Sequence, residues 1–156
     1  MTVQPAQAPA IARRALLALA VTGMAGCGVM TQNEDEEADP MELTSGQEID
    51  EVIVALWKDG GERALSEITG VEFDELLVFP EGAPAERVNE AAGGKLLNGK
   101  YYQSSAQLFL FRVGERAVLA AMIASDVFEH EIQNATFGPE VRIVAPGDQQ
   151  LVTLEG

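Results

Sequence analysis

Cysteine and histidine occur once each in this chain of 156 residues, as Cys27 and His130. One thiol closes no internal disulfide, and one thiol with one imidazole cannot build a zinc site of several thiolates or a histidine-based metal cluster. No metal and no cofactor is therefore expected. Basic residues are scarce too: 10 Lys+Arg face 25 Asp+Glu, a formal charge of −15. A non-specific grip on nucleic acid or on anionic headgroups by charge is not expected at that balance. Long apolar runs are missing as well. The longest weakly polar to apolar stretch, Ala15 to Gly26, spans twelve residues and holds two glycines, whereas crossing a bilayer as a helix takes about 20 apolar residues. What remains, 47% apolar and 22% charged residues, is the balance of a chain that buries one domain-sized core.

The first residues read as an address. Residues 1–14 carry Arg13 and Arg14 and no acid, and the apolar run follows at once. A positive segment ahead of a short apolar one is the pattern of an export signal. The run closes on Met24-Ala25-Gly26-Cys27, which resembles the lipobox of bacterial lipoproteins, with Met24 where Leu is usual. The resemblance implies cleavage between Gly26 and Cys27 and a lipid on the Cys27 thiol. It therefore implies a domain held on the extracytoplasmic face of the cell membrane. Ala12-Arg13-Arg14-Ala15-Leu16-Leu17 also resembles a twin-arginine export signal, with Ala12 in place of Ser or Thr and Leu16 in place of Phe. Removing residues 1–26 leaves 8 basic against 25 acidic groups, so the exported form carries −17.

Three regions follow: a signal over 1–26, an acidic disordered tether over 27–44, and a single domain over 45–156. The tether holds Glu34, Asp35, Glu36, Glu37, Asp39 and Glu42 with no apolar periodicity, a run that repels itself and stays solvated. Ser45-Gly46-Gln47-Glu48 reads as a capping box. Behind it Ile49, Val52, Ile53, Leu56 and Trp57 form one helical stripe. Asp59 and Glu62 are expected to cap a second short helix carrying Leu65 and Ile68 and stopped by Gly70. Leu76 to Phe79 predicts a buried strand closed by Pro80, and Pro84 to Gly93 a helix of about nine residues. Gln107–Val113 and Arg116–Ile123, joined at Gly114-Glu115, predict a hairpin. Val141–Val144 and Leu151–Leu154 predict another around Pro146-Gly147-Asp148. Helices first and strands later predict an α+β fold in two layers, with N-terminal helices packed on a largely antiparallel sheet. Phe73 to Gly93, a strand ending in Phe and Pro that enters a helix closed by Gly, resembles an element of small secreted or lipid-anchored bacterial proteins of unassigned function. That resemblance brings no catalytic residues with it.

Chemistry has few places to assemble. Ser125, Asp126 and His130 are the only gathering of nucleophile, acid and base types. No strained Gly-x-Ser-x-Gly turn accompanies them, and Phe128, His130 and Ile132 are expected to alternate onto one strand face with His130 partly buried. Glu129 and Glu131 are expected to flank it as a solvated edge that discourages strand addition. Gly93-Gly94-Lys95 is no phosphate loop, because Leu96 stands where Ser or Thr would bind magnesium. Asn134-Ala135-Thr136 matches a glycosylation triplet. The local exception to the acidity is residues 93–102, with Lys95, Lys100, Tyr101 and Tyr102 and no acid. Its alternatives are a flexible interaction loop and a plain connector through an Asn-Gly turn.

The leading expectation is a lipid-anchored extracytoplasmic binding or interaction module of the bacterial cell envelope. It would attach to the membrane through the lipid on Cys27 and meet an envelope protein or a cell-wall component, with no nucleic acid involved. The alternatives are a small envelope hydrolase centred on Asp126 and His130, and a small-ligand carrier with a pocket between the Ile49–Trp57 helix and the sheet.

Overall fold

The structure, a computed structural model, describes residues 41–156. Arg13, Arg14, Gly26 and Cys27 lie outside the described residues. In chain order the elements are β1 (Leu43–Thr44), α1 (Gln47–Asp59), β2 (Gly61–Ala64), α2 (Leu65–Thr69), β3 (Glu75–Phe79), α3 (Ala85–Ala92), β4 (Gln107–Val113), β5 (Arg116–Ile123), β6 (Thr136–Phe137), β7 (Arg142–Ala145) and β8 (Thr153–Glu155). The class is mixed α and β, with the three helices interleaved among strands in the first half. There are two sheets where one was expected: β1-β5-β4-β3-β6 and β2-β7-β8. Among the described strand pairs only β1–β5 is parallel, and an isolated parallel bridge joins Phe128 to Val152. Because Leu43 and Thr44 pair with Ala120 and Ala121, the folded part begins before Ser45 and takes in the last tether residues.

The central hairpin forms as its sequence predicts. Gln107 to Val113 pairs antiparallel with Arg116 to Ile123 across the turn at Gly114-Glu115, with one register shift beyond Phe111. Phe111 faces Leu119 while Arg112 faces Ala117, so Val118 is left without a partner, the geometry of a β-bulge. The second hairpin also forms, with Arg142, Ile143 and Val144 opposite Glu155, Leu154 and Thr153.

The helix ends depart from expectation. Ser45 does not cap α1. Gly46 occupies the N-cap in a left-handed conformation, φ 58°, with no side-chain cap. A Cβ there would sit 2.6 Å from the Met122 carbonyl oxygen, so the close approach of α1 to β5 selects glycine, and the serine is displaced from the capping position. Asp59 closes α1 rather than opening the next helix, and Gly61–Ala64 becomes β2 because it pairs antiparallel with β7. Arg142 and Glu62 meet across that pair at 2.6 Å, both half-exposed, a contact that contributes no more than about 1 kcal/mol. Gly70 and Gly93 end α2 and α3 in the left-handed conformation, as predicted.

Burial explains why one helical layer on one sheet face does not describe this chain. Gln107 to Phe111 are buried at every position rather than at alternate ones, the signature of a strand covered on both faces. Phe109 and Phe111 join Ile49 and Ile53 of α1, Leu65 of α2, and Ile143, Ala145 and Leu154 of the smaller sheet in one core. Leu108 and Leu110 join Val88 and Ala92 of α3, Phe79 and Tyr102 in another. Phe73 meets the Phe111 ring edge-on at 5.0 Å, and Phe128 lies 5.8 Å from Phe109. Trp57 packs against the first core and Ile49 and Ile53 are buried in it, while an open cleft of about 560 Å³ remains where the start of α1 meets β5, lined by Ile49, Ile68, Val71, Leu119 and Ala121 among others.

Candidate functional site

Of the residues singled out for catalysis, Ser125 and Asp126 border one cleft and His130 stands outside its lining. His130 opens a 3-10 turn over His130–Ile132 instead of lying on a strand. With three residues per turn, positions two apart no longer share a face. Phe128 and Ile132 are buried while His130 is exposed and makes no ion pair or side-chain hydrogen bond among the described residues. Glu129 precedes this turn and Glu131 lies within it, so neither sits on a strand edge. The Ser125 backbone amide donates to Asp50 Oδ1 at 2.9 Å and the Ala124 amide to Oδ2 at 3.0 Å, so Asp50 of α1 fixes the chain leaving β5. Asp126 is exposed and borders a small polar cleft with Ser125, Glu81, Ser105, Gln107 and Gln133, which His130 does not line. Asn134 of the glycosylation triplet takes a hydrogen bond from Arg87 at 3.2 Å.

The 93–102 loop divides. Tyr102 is only 3% exposed and belongs to the second core. Its amide donates to the Ala83 carbonyl at 2.8 Å and its carbonyl accepts from Gly82, a stitch continued where the Ala85 amide donates to the Lys100 carbonyl. Tyr102 therefore packs, and cannot serve as a contact residue. Tyr101, 56% exposed, pairs with Pro84 through its backbone alone, and Lys95 and Lys100 are exposed. Nor is the loop loose at its start. Asn89 of α3 accepts from the Leu96 and Leu97 amides at 2.9 and 2.7 Å, and donates to the Leu97 carbonyl at 3.1 Å.

Burial pushes the Tyr102 hydroxyl above its ordinary pKa of 10.0, the nearby Ser104 opposing in part without reaching hydrogen-bond geometry. A group that holds its proton more tightly folded than unfolded contributes stability that is complete below its unfolded pKa and is lost as pH rises through the folded one. Among the described residues the hydroxyl also has no hydrogen-bond partner, so Tyr102→Phe should raise stability by about 1 kcal/mol at neutral pH. The gain should grow above pH 10, as read from urea unfolding at pH 7 and pH 10.5. Loss of stability at neutral pH would show that the hydroxyl is satisfied after all.

Held in place by Asn89, the loop forms one wall of a cleft of about 580 Å³, one of three of similar size among the described residues. The opposite wall is the β4–β5 turn, with Val113, Arg116, Ala117 and Val118, and Met41 lies at its side. Gly93 brings the walls together: a Cβ at that position would run into the Glu115 carbonyl. Among the described residues, Lys95 and Arg116 are the only charged ones in the lining, and both are exposed. Neither is in an ion pair among the described residues, unlike Arg112 with Glu75 and Arg142 with Glu62. Val113 and Val118, 45% and 41% exposed, are two of the four most exposed large apolar side chains. Sequence reasoning found Lys95 but missed Arg116, Val113 and Val118, which read as ordinary strand residues because the bulge that turns Val118 outward has no local signal.

No protein-family model matches the chain, and neither does a curated protein or a solved structure.

Proposed function

We propose that this protein is a lipid-anchored extracytoplasmic binding module of the bacterial envelope, attached through Cys27 and contacting its ligand or partner at the cleft between Lys95 and Arg116. The observation that carries the binding surface is this cleft, where two cations stand over exposed valines in a domain with 19 acids and 8 bases from residue 45 onward. That His130 does not line the cleft shared by Ser125 and Asp126 supports a binding role over hydrolysis, since general base catalysis needs the base within hydrogen-bond reach of the nucleophile. The lipobox-like Met24-Ala25-Gly26-Cys27 supports the anchor.

Intact mass after expression in a bacterial host tests the anchor. The expected product lacks residues 1–26 and carries diacylglycerol on Cys27, while Cys27→Ala retains its signal and gains no lipid. Equal processing of the two chains and equal release into the medium would refute it.

A further inference from the structure

We infer that the Lys95–Arg116 cleft takes a single-chain anionic amphiphile, a fatty-acid-like carboxylate whose alkyl chain lies on Met41, Leu96, Val113 and Val118. This inference rests on the proposed binding role and names the ligand class of that same site. A volume near 580 Å³ falls within the range of pockets that hold small organic ligands. The lining separates two demands. Apolar side chains and the small Ala92 and Ala117 supply a floor on which an alkyl chain loses contact with water. Met41 can adapt to that chain, its thioether side chain being unbranched and freely rotating. The only charges are positive, one a point-like ammonium and one a guanidinium fork suited to two carboxylate oxygens.

Chance alone does not favour that lining, because acids outnumber bases by more than two to one over residues 45–156 and no acid among the described residues lines the cleft. The carbonyl end of α3 also points toward this region and works against an anion. Its last turn is closed, however, by the Gly93 amide donating to the Glu90 carbonyl and the Gly94 amide to the Asn89 carbonyl. An uncharged amphiphile would leave Lys95 and Arg116 unused, and a cationic one would meet two like charges. A large polyanion would be repelled by the acidic remainder of the surface. A short anionic head on one alkyl chain satisfies the cations and the valines together.

Calorimetric titration of the full chain with dodecanoate, each amphiphile kept below its micelle concentration, tests this. Dodecyl phosphate, dodecyl maltoside and dodecyltrimethylammonium serve as comparisons. The expected result is saturable one-to-one binding of dodecanoate, weakened about tenfold or more in the Lys95→Glu, Arg116→Glu double variant. The maltoside and the ammonium compound should bind at least about tenfold more weakly to the original chain. Binding of the phosphate with equal strength would sustain the anionic site, since the shared chemistry is a compact anion on one alkyl chain. Amide shifts in the dodecanoate complex should concentrate at Val113, Arg116 and Val118. Both substituted residues are exposed, and unchanged amide exchange in β4 and β5 would show that the variant remains folded. Dodecanoate affinity unaltered by the double substitution, or maltoside binding equal to dodecanoate, would overturn the inference. Cys27 takes no part in this measurement, so its failure leaves the anchor standing, and failure of the anchor leaves the cleft standing.

Discussion

Phe109→Ala is expected to remove about 3–5 kcal/mol of folding stability, read from urea unfolding. The ring is fully buried at the centre of the first core, with Phe111 at 6.5 Å and Phe128 at 5.8 Å. That core also holds Val152, Ile143 and Leu154, so the ring stands where side chains of the two sheets meet. Removing it deletes apolar area and leaves a cavity that the surrounding strands fill only in part. For a domain whose whole stability is of order 5–15 kcal/mol, such a loss brings unfolding within reach at modest temperature. The neighbour one residue on supplies the control. Leu110→Ala empties a site in the other core, beside Val88 and Ala92. Amide exchange should therefore accelerate first over β7 and β8 in Phe109→Ala, and first over α3 in Leu110→Ala. The same pattern in both variants would mean that the two faces of β4 do not support separate cores.

Much of this architecture was legible from local pattern. The β4–β5 hairpin, the strand before Pro80, and the glycine stops at Gly70 and Gly93 stand where the residues indicate, because each depends on short-range geometry: a tight turn, an apolar run, a left-handed cap. The two-faced burial of β4 was written in the same residues, in the unbroken run Leu108-Phe109-Leu110-Phe111, since a strand with one wet face alternates. The failures share a physical cause as well. Ser45 is a good cap by chemistry, yet the approach of Gly46 to the Met122 carbonyl decides the helix start, and that contact joins residues far apart in the chain. Gly61 to Ala64 has no strand pattern of its own and becomes β2 only because β7 offers it an edge.

The candidate site was half legible for the same reason. Absence of acid marked residues 93–102, and Lys95 does line the cleft. The tyrosine Tyr102 looked like a contact residue because an aromatic ring with a polar tip suits both a surface and a core, and only the backbone stitch to Ala83 shows which it serves. Val118 owes its place to the bulge between the Phe111–Leu119 and Arg112–Ala117 pairs, and Arg116 owes its own to pairing with Val113 beside the hairpin turn. Asn89, whose side chain holds the Leu96 and Leu97 backbone, sat in a helix of unremarkable sequence. In each case the missing information was a contact across the fold rather than a property of the residue.

Gly93→Ala should cost about 2–5 kcal/mol and, in the surviving folded fraction, the cleft as well, because two separate penalties fall on one methyl group. The first is conformational: φ is 69°, and a side chain in the left-handed region costs about 1–2 kcal/mol. The second is steric. The added carbon meets the Glu115 carbonyl, a backbone group on the opposite wall that cannot rotate aside, and forced displacement of packed structure costs about 1–3 kcal/mol. Two neighbours separate these terms. Gly114 also has a positive φ, 57°, but an added Cβ there meets nothing within 4 Å, so Gly114→Ala should show the conformational cost alone. Gly94 has open space and no positive φ, so Gly94→Ala should be close to neutral. Urea unfolding of the three variants should therefore rank them Gly93, Gly114, Gly94 in order of loss. Dodecanoate affinity should fall only in the first, since only there must the wall bearing Arg116 and Val118 move away from the wall bearing Lys95. If Gly93→Ala were no more costly than Gly114→Ala, the two walls would not be held together at Gly93, and the cleft would need another support.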